Sequence, residues 1–223
     1  MTVLGIETAT PVCAVGCADE AGLAAENRIY RPNAHAESLP LLVRQVLEQT
    51  GIPADRLDGI AVSIGPGSFT GLRIGLGFAK GMAFALKKPL LAVPTADVVA
   101  AFAPVVCETA CVWIPSGKRE MLQALYRAGE DGWIPSEGVR VVPESEWGEG
   151  LPEGDILFLG DGATAQRDVL RRKRAECFFF PPAALQASGL AVAQEGLRLL
   201  RKGKAADPDS LVPLYFKSFQ GIP

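Results

Sequence analysis

Gly65-Pro66-Gly67-Ser68-Phe69-Thr70-Gly71-Leu72-Arg73 is the stretch on which the fold of this chain turns. The apolar run Ile60-Ala61-Val62-Ser63-Ile64 before it has the character of a buried strand, and from Thr70 onward the only charges before Pro89 are Arg73, Lys80, Lys87 and Lys88. Strand, glycine turn, helix is therefore the local prediction. A helix N-terminus held by glycines offers free backbone N–H groups to an anion, and Ser68 or Thr70 can either cap that helix or touch a ligand. The spacing is not that of a P-loop, which needs Lys-Ser/Thr directly after its last glycine where this chain has Leu72-Arg73. Nor does it match the dinucleotide fingerprint. A capped turn that seats a helix closely on a sheet accounts for the same residues without a ligand.

At about 100° per residue, Arg73, Lys80 and Lys87 fall on one stripe of the predicted helix, with Gly71, Gly75, Phe78, Met82 and Leu86 opposite, toward a core. Gly77, Gly81 and Phe84 lie beside the charged stripe. An interior glycine costs a helix roughly 1 kcal/mol relative to alanine, so two of them one turn apart next to a phenylalanine call for a compensating contact. Close approach of another helix supplies one, from a partner or from elsewhere in the same chain.

Upstream, Val3–Thr8, Val12–Ala18 and Leu23–Tyr30 read as three short strands separated by turn residues. Leu39, Leu42, Val43, Val46 and Leu47 then follow helical spacing, with Pro40 near the start and Gly51 and Pro53 at the close. After the central strand and helix come a strand at Leu90–Val93 and a helix at Thr95–Phe102. The order βββαβαβα is that of one half of an actin-like fold. Ala103-Pro104 marks the predicted boundary between halves 1–104 and 105–223.

In the second half, strands are expected at Val105–Ile114, Met121–Arg127, Val139–Val142 and Ile156–Leu159, and Cys177–Phe180 is an apolar run. A turn is expected at Gly129-Glu130-Asp131-Gly132 and a loop at Pro143–Gly154. One helix should run from Gly160-Asp161-Gly162-Ala163 to about Arg174, and another over Ala183–Arg201, which could pack back on the first half. The basic clusters Arg171-Arg172-Lys173-Arg174 and Arg201-Lys202-Gly203-Lys204 each end a predicted helix, where cations complement the dipole.

The chain of 223 residues is 48% hydrophobic and 21% charged, as soluble globular proteins are. Its net charge of −3 and pI near 5.3 provide no global field for nucleic acid, so direct RNA binding should be weak. Met1-Thr2-Val3-Leu4 lacks the basic region of a signal peptide, and no apolar run is long enough to span a membrane, so a cytoplasmic location is expected. Cys13/Cys17 and Cys107/Cys111 stand four apart, which on a strand is roughly 13 Å and too far for a disulfide. With Cys177 they read as free thiols. His35 is the only histidine, so neither a His-x-x-x-His nor a Cys2His2 metal site can be built, and no metal is expected.

Gly5-Ile6-Glu7-Thr8-Ala9-Thr10, His35-Ala36-Glu37-Ser38-Leu39, the Gly65–Arg73 string, Gly160-Asp161-Gly162-Ala163 and Pro213-Leu214-Tyr215 together resemble the TsaB (YeaZ) family. The resemblance is close over the first hundred residues and looser beyond. It implies an α/β actin-like (ASKHA, ribonuclease H-like) fold of two related halves, and a non-catalytic scaffold in bacterial threonylcarbamoyladenosine formation on tRNA. Implied partners are a TsaD-like transferase, a TsaE-like ATPase and, when the chain is alone, a second copy of itself. Membranes have no part in it, and tRNA is reached through the complex. No cofactor of its own is implied, and ATP would enter at the level of the complex. His35, Leu39, Leu42, Arg73, Gly77, Lys80, Gly81 and Phe84 are the implied partner-facing residues. Thr8, Thr10, Gly67, Ser68, Asp161 and Gly162 are the candidates for holding an anion or nucleotide. The resemblance breaks where the family usually shows Asp-Ala-Arg and this chain has Pro115-Ser116-Gly117-Lys118-Arg119-Glu120. TsaD-type proteins carry a His-x-x-x-His metal motif that one histidine cannot supply, so a metalloprotease is not expected.

A stand-alone actin-like ATP-dependent phosphotransferase or ATPase is the alternative. Such enzymes resemble one another in a first-strand Asp with Gly-Thr for the phosphates, and Glu7-Thr8 is the only counterpart, with no glycine between. Asp161 is the nearest nucleotide-side carboxylate, and a turn explains it equally well.

Overall fold

The computed structural model describes residues 1–31, 34–116, 119–130, 132–174, 176–179 and 187–215. The chain opens with β1 (Thr2–Glu7), β2 (Val12–Asp19), β3 (Ala24–Tyr30), α1 (His35–Thr50), β4 (Gly59–Ser63), α2 (Phe69–Leu86), β5 (Leu90–Val93) and α3 (Thr95–Ala100). This is the predicted βββαβαβα order. β1 pairs antiparallel with β2 and parallel with β4, giving a sheet ordered β3-β2-β1-β4-β5. β4 is buried along its whole length, as a parallel strand covered on both faces must be, while the edge strand β3 carries Glu26, Asn27 and Arg28 and is largely exposed.

Leu4 and Ile6 of β1 and Cys13, Val15 and Cys17 of β2 pack with Leu39, Leu42, Val43 and Val46 of α1 and Leu76, Ala79 and Ala83 of α2. α1 starts at His35 rather than near Leu39, which places Pro40 inside the helix on its exposed side. Ser68 caps α2, its Oγ accepting from Gly71 N–H at 3.2 Å. The buried face of α2 is Gly71, Leu72, Gly75, Leu76, Ala79 and Ala83, whereas Phe78, Met82 and Leu86, expected at its centre, are half-buried flanks. The small residues decide this. A Cβ on Gly75 would lie 2.1 Å from Thr8 Oγ1 and one on Gly71 2.1 Å from Thr8 O, so the helix sits too close to β1 for large side chains there.

The second unit runs β6 (Thr109–Pro115), β7 (Glu120–Gly129), β8 (Gly132–Pro135), β9 (Arg140–Pro143), β10 (Ile156–Leu159), α4 (Asp161–Ala165), α5 (Arg167–Lys173) and β11 (Cys177–Phe179). Its sheet is ordered β11-β10-β6-β7-β8, with β9 also on β7. The central strand again has an antiparallel neighbour on one side and two parallel strands on the other, so the two sheets share one strand order. Its core is aromatic: Trp113 lies 5.9 Å from Trp147 and 5.8 Å from Phe158, ring centre to ring centre.

Several expectations need correction. Val105 and Val106 are exposed and the strand begins only at Thr109. β8 was hidden by the turn residues beside it, and the helix expected to reach Arg174 is broken at Gln166, whose φ of −111° and ψ of 18° interrupt the α conformation. Asp131, Gly117, Lys118, Phe180, residues 183–186 of the last predicted helix, and Phe216 with Lys217 of the tail lie outside the described residues.

The last helix, α6 (Gly189–Arg201), is capped by Ser188 Oγ and packs on β1, β2, β4 and β5. It lies on the face opposite α1 and α2, because Gly5 alternates with Leu4 and Ile6 along β1 and a Cβ on Gly5 would lie 2.2 Å from Ala193 N. Residues Met1–Val98 and Ala187–Pro213 thus form one compact unit, and Val99–Gln186 belongs to the other. The second half is not the continuous segment 105–223 expected from chain order.

Candidate functional site

Two clusters of predicted site residues fall in the first unit. At the end of β1, the buried Glu7 Oε1 accepts the N–H groups of Ala9 (2.8 Å) and Thr10 (3.1 Å), and its Oε2 has no partner. Ala9 O accepts from Ser68 N–H at 2.7 Å, and Thr8 Oγ1 donates to Gly71 O at 2.8 Å. His35 Nε2 lies 3.0 Å from Thr10 O, which as a carbonyl can only accept, so this nitrogen carries the hydrogen. A Cβ on Gly67 would lie 2.3 Å from Ala9 O. Thr8, Thr10, Gly67 and Ser68 are therefore brought together, yet the chain's own groups already occupy the N–H donors of Ala9, Thr10, Ser68 and Gly71. Glu7 stands where an anion would have to stand. Burial pushes its carboxyl up to about 7, against the pull of the hydrogen bonds it accepts.

Asp161 and Gly162 lie in the other unit, at the start of the five-residue α4. Gly162 has a packing reason: a Cβ there would meet Met121 Sδ at 2.7 Å and Trp113 O at 2.9 Å.

The second cluster is the outer face of α2. Gly77 and Gly81 are exposed, a Cβ on either meets no atom within 4 Å, and the Phe84 ring is 88% exposed. No other part of the described chain fills this face. Arg73 stands over the Phe69 ring at 3.8 Å, and Lys80 is half-buried along one side. His35, Leu39 and Leu42, also expected to face a partner, are buried. The helical period that singled out the two leucines marks residues packed on a sheet, and His35 is held by the turn at Thr10. Leu41, 50% exposed, is the apolar surface residue of α1 that the periodicity passed over because it is out of phase. Burying a ring such as Phe84 contributes roughly 1.5–3 kcal/mol, and glycines one turn apart admit another backbone beside it.

The sequence model of the family described as "TsaD: tRNA N6-adenosine threonylcarbamoyltransferase" matches residues 31–138. The Bacillus subtilis tRNA threonylcarbamoyladenosine biosynthesis protein TsaB is 27% identical over 97% of this chain and 94% of its own length. The Escherichia coli protein of the same name is 31% identical over 134 residues, 60% of this chain and 54% of that protein. A Pseudomonas aeruginosa structure, described as similar to peptidase YeaZ, superposes with a TM-score of 0.84 at 25% identity, covering 97% of this chain and 99% of that one. Along nearly its whole length the chain is similar to TsaB (YeaZ) proteins. Its fold is the α/β actin-like one, with strand order repeated in both sheets. The matched stretch spans only about half of the E. coli relative (54%). Among the described residues no helix is long and apolar enough to cross a membrane, and no three of His, Cys, Asp and Glu are grouped as metal ligands would be.

Proposed function

We propose that this chain is a non-catalytic scaffold subunit of the machinery that forms threonylcarbamoyladenosine on tRNA. It docks a TsaD-like transferase on the outer face of α2, pairs with a second copy of itself there when the transferase is absent, and brings in a TsaE-like ATPase. The observation that carries this is the bare helix face at Gly77, Gly81 and Phe84. The names of the relatives supply the chemistry of the complex. The occupied donors around Glu7 favour a scaffold over a phosphate-handling enzyme.

Gly81→Arg tests the docking face. Open space surrounds Gly81, so the folded monomer can accommodate the side chain, and replacing an interior helical glycine should leave stability unchanged or raise it by up to about 1 kcal/mol. Sedimentation velocity should then show a monomer, and capture of a TsaD-like protein should be abolished. A variant that folds, dimerises and captures the transferase as before rules the face out.

A further inference from the structure

Residues 167–174 carry five cations and one carboxylate in a chain of net charge −3. The helix dipole accounts for part of this. Arg171, Arg172 and Lys173 occupy the last turn of α5, but Arg167 is its first residue, at the end where a cation is disfavoured. Five other surface arginines have carboxylate partners: Arg31 with Glu37, Arg44 with Glu48, Arg119 with Glu144, Arg198 with Glu195 and Arg201 with Glu20. Arg167, Arg171 and Arg172 are exposed and have no carboxylate within ion-pair distance among the described residues.

The arrangement is also built. Arg167 and Arg171, one turn apart, place their guanidinium groups 5.3 and 5.6 Å from the centre of the Phe179 ring, which itself stacks on Phe158 at 5.5 Å and 15°. Phe179 lies on β11, the edge strand of its sheet. Arg174 is anchored by donating to Gly154 O. Burial raises the Cys177 thiol, while Arg171, Arg174 and Arg167 all pull it down. Unpaired cations held together repel one another, and a polyanion laid across them relieves that repulsion. Planar guanidinium groups preset by an aromatic stack suit phosphate oxygens.

On the tRNA-modification role proposed above, we propose that the Arg167–Arg171–Arg172 corner is a contact for the phosphate backbone of RNA. Its own affinity is modest, in the range of about 10⁻⁴–10⁻⁶ M set by phosphate contacts. It adds to binding by the assembled complex.

Fluorescence anisotropy of the full chain against a labelled RNA hairpin, at low and physiological salt, tests this. Arg171→Glu/Arg172→Glu should weaken binding by about tenfold or more and flatten the salt dependence by roughly 0.7 in log–log slope for each phosphate that is no longer neutralised. Arg172→Glu alone, at a side chain that takes no part in the stack on Phe179, should show the same direction without touching the core. Arg167→Lys/Arg171→Lys, which keeps the charge, should still weaken binding several-fold if the planar groups matter. Lys202→Glu/Lys204→Glu should change nothing. Wild-type affinity in the double charge reversal, an equal weakening by Lys202→Glu/Lys204→Glu, or no binding by the wild type at low salt overturns the proposal. Capture of a TsaD-like protein by the Arg171→Glu/Arg172→Glu variant separates the two proposals. Retained capture with abolished RNA binding supports the RNA site, and loss of both assigns the corner to the protein interface and overturns it.

Discussion

Glu7 is the residue whose chemistry is least expected from its neighbours. A carboxyl that titrates at about 7 in the folded chain and at its ordinary value of 4.5 when exposed is held protonated by folding. The unfolded chain therefore gains from ionisation first. Glu7 weighs least on stability below about pH 4.5, weighs progressively more as pH rises to about 7, and is constant beyond. Glu7→Gln keeps an acceptor for the Ala9 and Thr10 N–H groups and a donor in place of the protonated oxygen. Its advantage over the wild type should grow across that window by on the order of 3 kcal/mol. Melting both proteins between pH 4.5 and 8 measures it, and parallel curves would show that the carboxyl is ionised or solvated in the fold. The sequence placed Glu7 on a strand beside a threonine turn but could not show its burial. That depends on α1, which brings in His35, and on α2, which brings in Ser68.

At the scale of elements, two sets of glycines look alike in the sequence and have opposite roles. Gly77 and Gly81 face open space, so Gly77→Ala should raise stability by up to about 1 kcal/mol. Gly16 faces the backbone of α6, where an added Cβ would lie 2.3 Å from Leu190 N, and neither strand nor helix can yield that distance cheaply. Gly16→Ala should lower stability by about 1–3 kcal/mol or more. Urea titration of both variants gives the two signs in one experiment, and a neutral Gly16→Ala would mean that α6 is loosely seated. The helical period of α2 was legible, but its rotation was not. Large apolar residues dominate any sequence-based choice of face, and here the close approach of Thr8 reserved the centre for Gly71, Gly75 and Ala79.

At the scale of the whole molecule, the occupied turn at Glu7 bears on nucleotide. If the N–H donors there are unavailable, ATP with Mg2+ below its Kd stabilises the isolated chain by less than about 0.4 kcal/mol, and its melting curve should not move. A clear shift, or ATP hydrolysis abolished by Ser68→Ala, would instead favour the phosphotransferase alternative. The sequence by itself determined the strand and helix order of the first hundred residues, a glycine turn opening α2 after β4, and the resemblance to TsaB (YeaZ) proteins. Each rests on local chemistry: apolar period and turn residues. Only the tertiary structure decided that α6 belongs with the first sheet, that Leu39 and Leu42 are core while Phe84 is bare, and that Arg167 joins Arg171 over Phe179. Those outcomes depend on which backbones come within a few ångströms of each other, and distances between residues far apart in the chain leave no periodic trace in it.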